Sequence, residues 1–349
     1  MYHEALIRRK GHFMKAIAIN GLGRIGRLLL RLYMENPPEQ AVLVAANSPA
    51  PIEDLAYLIK YDSVHGRAPF EVKTGSGYLE LGARRMRIAV SHEKDPEKIP
   101  WRSKGVDIVL ECSGLFRKRE DAAKHLTAGA SKVIISADAK NDDLTVVMGV
   151  NEKSYDPALH HVISNASCTT NCLAPTAKVL HDAFGIDYLI ATTVHAYTSS
   201  QALIDRSSPG HRRRGRAAAV SLVPSSTGAA RATERVLPAL KGRMNAMAIR
   251  VPVANGSLTD LTAHLNNDVS IESVNAVFRA AAEGTMQGIV GYSEDELVSS
   301  DIVGDEHSAI IDGASTLVMM NRVVKVLAWY DNEYGYARRL LDLAGYIAR

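Results

Sequence analysis

The sequence predicts an α/β fold in two domains, and three observations carry that prediction. The chain has 349 residues, about twice the usual domain length of roughly 150. Its first half alternates short apolar runs with helical patterns, the rhythm of a mostly parallel sheet covered by helices. After Asn165 longer strand-like segments with fewer helices take over, which predicts a second domain of α+β type.

The first strand is Lys15 to Asn20 (K-A-I-A-I-N), and it runs into Gly21-Leu22-Gly23-Arg24-Ile25-Gly26. A helical pattern follows to about Glu35 and stops before Pro37-Pro38; Ala41 to Ala46 is a second buried strand. Strand, G-x-G-x-x-G, helix and strand in about 30 residues make the Rossmann-type dinucleotide-binding βαβ unit. Gly21 permits the tight turn, Gly23 lets backbone approach a pyrophosphate, and Gly26 allows close helix–strand packing. The helix start at Arg24 and Ile25 offers unpaired N–H groups and a partial positive charge. A plain tight β–α turn is the simpler reading of the motif alone, and its neighbours favour the nucleotide.

Further apolar runs lie at Val106–Leu110, Val133–Ile135, Thr145–Val150 and Val162–Ile163, with a helical stretch at Arg119–Ala128. Beyond them come strand-like segments at Tyr188–Thr198, Met247–Val251, Leu258–Leu265, Thr316–Met319 and Val323–Trp329, a helix at Ile271–Ala282, and a last helix from about Glu333 to Ala348. The expected organisation is an extension over 1–13, a dinucleotide-binding domain over 14–167 joined by the C-terminal helix 332–349, and a second domain over 168–331. Residues 1–13 are basic at Arg8, Arg9 and Lys10 but lack the apolar run and cleavage site of a secretory signal, and Met14 is an alternative start.

Composition narrows the function classes. Hydrophobic residues at 46% and charged residues at 23% exclude wholesale disorder. Lys+Arg 41 against Asp+Glu 38 leaves +3, too balanced for dedicated nucleic-acid binding, which needs clustered positive charge. No window approaches the roughly 20 consecutive apolar residues of a membrane span. Three cysteines cannot form a disulfide framework, and no Cys/His cluster has zinc spacing. The expectation is a cytoplasmic protein without a metal.

Ser164-Asn165-Ala166-Ser167-Cys168-Thr169-Thr170-Asn171-Cys172 lies where the strand Val162–Ile163 gives way to a helical pattern over Leu173–Phe184. Cys168 therefore sits at a helix N-terminus, where the macrodipole lowers a thiol pKa and favours the reactive thiolate. A buried, inert cysteine is the commonest fate of a free thiol, and position alone leaves both readings open. Cys172, one turn further in, reads as small apolar filler. His195 ends the apolar run Ile190–Val194, and a helix returning the chain to the same sheet edge lets it meet Cys168 as an acid/base. His125, His160, His161 and His181 read as surface or packing residues, and Cys112 has no assigned role.

I-N-G-L-G-R-I-G-R (19–27), K-Y-D-S-V-H-G-R (60–67), S-N-A-S-C-T-T-N-C-L-A-P (164–175), T-V-H-A-Y-T (193–198), S-S-T-G-A-A (225–230), R-V-P (250–252) and W-Y-D-N-E-Y-G-Y (329–336) occur in that order. Together they resemble the phosphorylating glyceraldehyde-3-phosphate dehydrogenases, and the resemblance runs from about Met14 to Arg349. It implies a catalytic domain with a mostly antiparallel sheet, an S-shaped loop at about 197–220, and a homotetramer. It further implies that Cys168 is the nucleophile, forming a hemithioacetal and then a thioester that inorganic phosphate cleaves, and that His195 is the base. Ser167, Thr227 and Gly228 match the site for the attacking phosphate. Thr198 and Arg250 match the site for the substrate's own phosphate; Arg214 serves one of the two, and Thr169 belongs with them. Asn332 matches the residue holding the nicotinamide carboxamide, with Tyr336 packed nearby and Ser136 also on the cofactor side.

These assignments agree with donor chemistry, since hydroxyls, backbone N–H groups and guanidinium bind oxyanions. Alone, Ser225–Gly228 reads as a loop or helix cap, and His211–Arg216 as a solvated face or an RNA-binding patch. The family places that charge run in the loop lining neighbouring cofactor sites of the tetramer.

The chain departs from the family's NAD-specific members after the second strand, where Ser48 stands in place of an acidic residue. Loss of that carboxylate removes both an acceptor for the ribose 2′-OH and a repulsion against a 2′-phosphate. In the S-loop, Asp205-Arg206-Ser207-Ser208 replaces a proline-containing segment, and Ser207 matches a serine of NADP-using relatives. The coenzyme expectation is NAD and NADP, with dual use or an NADP preference. Erythrose-4-phosphate dehydrogenases share the Cys and His but alter the S-T-G-A-A segment kept here at Ser226–Ala230. A relative using arsenate as the nucleophile would keep the same site. A silent RNA-binding scaffold has no need of Cys168, His195, Arg250 and Asn332 together.

Overall fold

The computed structural model describes residues 8–9 and 12–349, so much of the expected extension 1–13 lies outside the described residues. Arg8–Arg9 and His12–Phe13 pair antiparallel. The chain divides into two compact units. One holds the residues up to Val146, Glu152–Ala166 and Ala337–Arg349; the other holds Val147–Asn151 and Ser167–Tyr336.

In the first unit, strand β1 (Lys15–Asn20) is buried from Ala16 onward, as a strand covered on both faces must be. Helix α1 (Arg24–Glu35) buries Leu28, Leu29, Leu30, Leu32 and Tyr33, and β2 (Ala41–Asn47) is buried throughout. Helix α2 (Ile52–Lys60) leads to β3 (Val72–Gly75), β4 (Tyr78–Leu81) and β5 (Met86–Ser91). Then come β6 (Ile108–Glu111), β7 (Lys132–Ile135), β8 (Leu144–Thr145) and β9 (Val162–Ser164). The sheet order is β8-β9-β7-β6-β1-β2-β5-β4-β3. It is parallel from β8 to β5 and antiparallel across β5-β4-β3. The order reverses at β1, and open α/β sheets bind ligands outside the carboxyl ends of strands at such a point.

Two expectations change. The stretch Arg119–Ala128 forms two short helices, Arg119–Ala122 and Lys124–Thr127, that meet at Ala123. Only Leu144–Thr145 joins the sheet from the neighbourhood of Thr145–Val150, because Val147–Val150 turns, with Val150 N–H bonding to the Val147 carbonyl.

In the second unit, α3 (Cys168–Phe184) is followed by β10 (Ile186–Ala196), β11 (Val223–Ser226), α4 (Ala229–Val236), β12 (Met244–Val251) and β13 (Ser257–Leu265). Helix α5 (Ile271–Glu283), β14 (Val290–Ser293), β15 (Ala309–Met319) and β16 (Val323–Tyr330) complete it, and α6 (Tyr334–Ile347) ends the chain. The sheet order is β11-β12-β10-β13-β16-β15-β14, parallel only at β10·β12 and β14·β15. The sheet is therefore mostly antiparallel. Leu173, Leu180, Val274 and Phe278 from α3 and α5 pack on Leu189, Leu261 and Val326 of one face. The other face leaves Tyr188, Ile190 and Met247 exposed.

The glycine turn has no spare room at Gly26. A Cβ on Gly26 would collide with the Gly21 carbonyl oxygen, a backbone atom. Gly26→Ala should therefore cost about 1–3 kcal/mol by overpacking, measured by urea unfolding, and weaken dinucleotide binding. An unchanged midpoint with unchanged affinity contradicts this account of the turn.

Candidate active site

Helix α3 begins at Cys168 because Ser167 caps it: the Ser167 Oγ accepts from the Thr170 N–H at 3.1 Å. Ala166 before it holds φ at 55°, a left-handed conformation uncommon for a residue with a Cβ. Strand β10 carries His195, and its parallel pairing with β12 sets His195 beside Arg250. The Cys168 Sγ lies 3.4 Å from His195 Nε2. Arg250 Nη1 lies 2.6 Å from His195 Nδ1 and donates to the Ala196 carbonyl at 3.0 Å. The Tyr330 hydroxyl, held by Thr169 Oγ1 at 3.0 Å and Thr193 Oγ1 at 2.7 Å, presents its ring edgewise to the imidazole.

Burial governs the resting charge state. The helix N-terminus alone predicts a lowered thiol pKa, but desolvation pushes the Cys168 thiol up, opposed by the Arg250 charge and by hydrogen bonds at Thr169. Burial and then the Arg250 charge pull His195 from 6.5 to about 3, against the favourable pull of the Ala196 carbonyl. Both shifts favour the uncharged forms, thiol and neutral imidazole. Cys172 is wholly buried and pushed up to about 12 by desolvation, which makes it the inert filler of the two.

The other expected anion ligands lie in the same unit but are not all drawn into this cluster. Arg214 donates to the Ser226 carbonyl at 3.3 Å, and its charge bears on Arg250. The Thr227 Oγ1 accepts from the Ala229 N–H at 3.2 Å, so it caps the turn into α4; Gly228 is exposed beside it. Thr198 Oγ1 pairs with Ser200 Oγ at 2.9 Å, and Ser207 is exposed in its loop. Asn332 is buried, its Oδ1 accepting from Ser257 Oγ at 2.7 Å, and Tyr336 is buried near it in sequence.

In the first unit, the carboxyl ends of β1, β2, β6 and β7 gather Gly21, Ser48, Ser113 and Ser136. Gly21 has φ of 93°, and a Cβ there would lie 2.5 Å from the Ser113 nitrogen. Around Gly23 a Cβ would meet nothing within 4 Å, and the helix it precedes has no side-chain cap. This cradle, closed at Gly21 and Gly26 and open at Gly23 where helix α1 begins, fits a dinucleotide pyrophosphate. The Arg24 guanidinium pairs with Asp62. Burial raises that carboxyl, but hydrogen bonds from the His65 N–H, Arg24 and the Val64 N–H hold it at about 2. Ser48 is buried and its N–H donates to the Ser91 carbonyl at 3.0 Å.

Sequence reasoning missed one cluster here. His125, read as a surface or packing residue, is fully buried: its Nε2 meets Glu111 at 2.9 Å and its Nδ1 receives the Trp101 indole N–H at 3.0 Å. Glu111 also accepts from Asn20 Nδ2 at 2.5 Å and from the Ser113 N–H at 2.7 Å. An acid ending an otherwise apolar strand, I-V-L-E (108–111), was the available signal.

Residues 15–119 match the family described as "Glyceraldehyde 3-phosphate dehydrogenase, NAD binding domain", and residues 167–332 match its "C-terminal domain". The chain is 54% identical over 334 residues to "Glyceraldehyde-3-phosphate dehydrogenase" of Geobacillus stearothermophilus, covering 95% of this chain and 98% of that protein. It is 53% identical over 333 residues to "Glyceraldehyde-3-phosphate dehydrogenase 1" of Bacillus subtilis strain 168, with the same coverage. The chain belongs to the glyceraldehyde 3-phosphate dehydrogenase family. Its members' resemblance in sequence, read from Cys168 and its neighbours, thus extends over nearly the whole length. Among the described residues no helix is long and apolar enough to cross a membrane, and no group of three His, Cys, Asp or Glu is placed to hold a metal ion.

The neutral His195 has a thermodynamic signature. The folded ring stays unprotonated down to about pH 3, whereas an unfolded histidine protonates near 6.5. Its contribution to stability is present above pH ~6.5 and lost as pH falls toward 3. Urea melts of wild type and His195→Asn should therefore diverge below pH ~6.5, the variant gaining relative stability as acid is added. A difference independent of pH contradicts the assignment of a suppressed imidazole.

Proposed function

We propose that this chain is a phosphorylating dehydrogenase that oxidises D-glyceraldehyde 3-phosphate, with inorganic phosphate and NAD or NADP, to 1,3-bisphosphoglycerate, and does so reversibly. The observation that carries this reading is the Cys168–His195 pair, 3.4 Å apart at a capped helix N-terminus beside the Arg250 guanidinium. Family membership supplies the substrate.

In this mechanism His195 Nε2 takes the Cys168 proton as sulfur attacks the aldehyde carbon, and the oxygen that becomes a hydroxyl recovers that proton. The dinucleotide, when bound, accepts a hydride from that carbon. His195 takes the hydroxyl proton during the same step, so a thioester remains on Cys168. Phosphate oxygen then attacks the thioester carbon, the C–S bond breaks, and the acyl phosphate leaves with sulfur restored as thiolate. Ser167, Thr169, Thr227, Gly228 and Arg214 serve the attacking phosphate, and Thr198 and Arg250 the phosphate already on the substrate, because hydroxyl, N–H and guanidinium donors match oxyanions.

For the coenzyme, Gly21, Gly23, Arg24, Ile25 and Gly26 hold the pyrophosphate. Ser257 occupies the Asn332 carbonyl oxygen, which leaves the Asn332 amide NH₂ to meet the carboxamide oxygen, with Tyr336 and Ser136 supporting the cofactor. Ser48 presents no negative charge where a 2′-phosphate would lie, and Glu53, the next acid, belongs to the first turn of α2. Together with the exposed Ser207 this favours use of NADP alongside NAD, and NADP use favours the reductive, gluconeogenic direction over glycolysis.

We further propose a homotetramer in the cytoplasm. Tyr188 at 53%, Ile190 at 62% and Met247 at 43% exposed lie on one sheet face, an apolar surface suited to a second copy, and the three thiols are unpaired. Sedimentation reads the oligomeric state.

Initial rates with glyceraldehyde 3-phosphate should depend on phosphate and vanish in Cys168→Ser, while His195→Asn loses about 10²–10⁴-fold in kcat. Turnover that survives Cys168→Ser, or a preference for erythrose 4-phosphate, overturns the reading. With NADP, kcat/KM should equal or exceed that with NAD at one ionic strength; an advantage of about a hundredfold for NAD, about 2.8 kcal/mol, contradicts the NADP proposal.

A further inference from the structure

The two ends of the Asn332 amide are alike in shape and opposite in chemistry, so whatever holds one end decides which end is presented. The Ser257 hydroxyl, buried at the start of β13, holds it. A serine hydroxyl has one proton and two lone pairs. The Ala196 N–H donates to Ser257 Oγ at 3.1 Å, which commits a lone pair, and Asn332 Oδ1 at 2.7 Å accepts the proton. With the amide reversed, the hydroxyl would face two donors, the Ala196 N–H and the Asn332 NH₂, and its own proton would lose its acceptor. The main chain around Asn332 is clamped as well. Asp331 Oδ1 accepts from the Glu333 and Tyr334 N–H groups at 2.8 Å each, and its Oδ2 accepts from the Gly304 N–H at 2.8 Å. Rotation of the side-chain amide is then the freedom that Ser257 removes.

We propose that Ser257 is a positioning residue for the coenzyme: by holding the carbonyl end of Asn332 it presents the NH₂, so that the site selects a carbonyl oxygen on the pyridine ring and rejects a lone donor there. The proposal rests on the reading above that Asn332 meets the nicotinamide carboxamide. Its effect passes through Asn332 alone. The same link ties the coenzyme to the strand that carries the base. Ala196 N–H holds Ser257, and the Ala196 carbonyl oxygen lies 2.7 Å from His195 Nδ1. One residue at the end of β10 therefore sets both the carboxamide's partner and the imidazole.

Calorimetric titration of the full chain tests this with four ligands. They are NAD, its 3-acetylpyridine analogue, which keeps only the carbonyl, its 3-aminopyridine analogue, which keeps only a donor, and ADP-ribose, which has no pyridine ring. Wild type should bind the acetyl analogue about tenfold more tightly than the amino analogue, the scale of one mismatched hydrogen bond. Asn332→Asp, which presents an oxygen in either orientation, should abolish or reverse that order. In Ser257→Ala the affinity for NAD should fall about three- to tenfold, with ADP-ribose unchanged. Adding Ser257→Ala to Asn332→Ala should change NAD binding no further, since the two act as one unit. A wild type that binds the amino analogue as tightly as the acetyl analogue overturns the proposal even if Ser257→Ala fails to fold. So do equal losses of NAD and ADP-ribose in Ser257→Ala, or additive losses in the double variant, because a merely structural serine produces either. Failure of the functional reading is separate: wild type then binds neither NAD nor ADP-ribose and shows no phosphate-dependent turnover of glyceraldehyde 3-phosphate.

Discussion

The reactive centre depends on the parallel pairing of β10 with β12. Opposite residues on adjacent strands share a face, so this register sets the imidazole of His195 beside the guanidinium of Arg250, 55 positions later. Helix α3 then brings Cys168 to the other nitrogen of the same ring. Each partner constrains the next: the strand fixes the imidazole, the imidazole faces the thiol, and the Ser167 cap fixes where the helix carrying that thiol begins. A slip of β12 by one residue would turn Arg250 to the opposite face and leave the ring without its cationic neighbour.

The charge balance of this centre follows from burial more than from the helix dipole. A half-charge at a helix terminus is a weak influence beside the desolvation of a sulfur packed against the core. Desolvation disfavours the thiolate, and desolvation together with the adjoining guanidinium disfavours the imidazolium. In the proposed mechanism such a pair reacts by transferring its proton when the electrophile arrives. The cationic excess that looks negligible over the whole chain is concentrated here and in the loop carrying Arg212, Arg213, Arg214 and Arg216, where small anions are its natural partners.

The first unit applies related physics to a different ligand. Strand ends rather than strand faces supply the ligand groups, because backbone N–H at a helix start is unpaired and available. What keeps that edge in shape is the Glu111 carboxylate, which takes hydrogen bonds from Asn20, Ser113 and His125 below the glycine turn. A buried carboxylate is tolerable only when so fully satisfied, and here its donors come from β1, the turn after β6 and a short helix. Asn47 extends the network to β2 by donating to Asn20 Oδ1 at 2.9 Å.

Local rules determined much of this protein from sequence alone. The glycine spacing defined the nucleotide turn, Pro37-Pro38 ended α1, alternating apolar runs gave the parallel sheet, and Ser167-Cys168 marked a helix start, because each depends on backbone chemistry within a few residues. Strand ends were less legible: β10 and β12 extend to Ile186 and Met244 beyond their apolar runs, since backbone pairing continues through the exposed Asp187 and Tyr188 of β10 and the exposed Asn245 and Met247 of β12. Of the hairpin strands, β3 at the sheet edge buries no residue, and β4 and β5 alternate over only a few residues, too short a run to stand out in the sequence. Only the tertiary structure decided that His125 belongs to Glu111, that Arg250 sits on Nδ1 of His195, and that the Cys168 thiol is raised rather than lowered. Register and desolvation are properties of neighbours distant in sequence, and no local pattern encodes them.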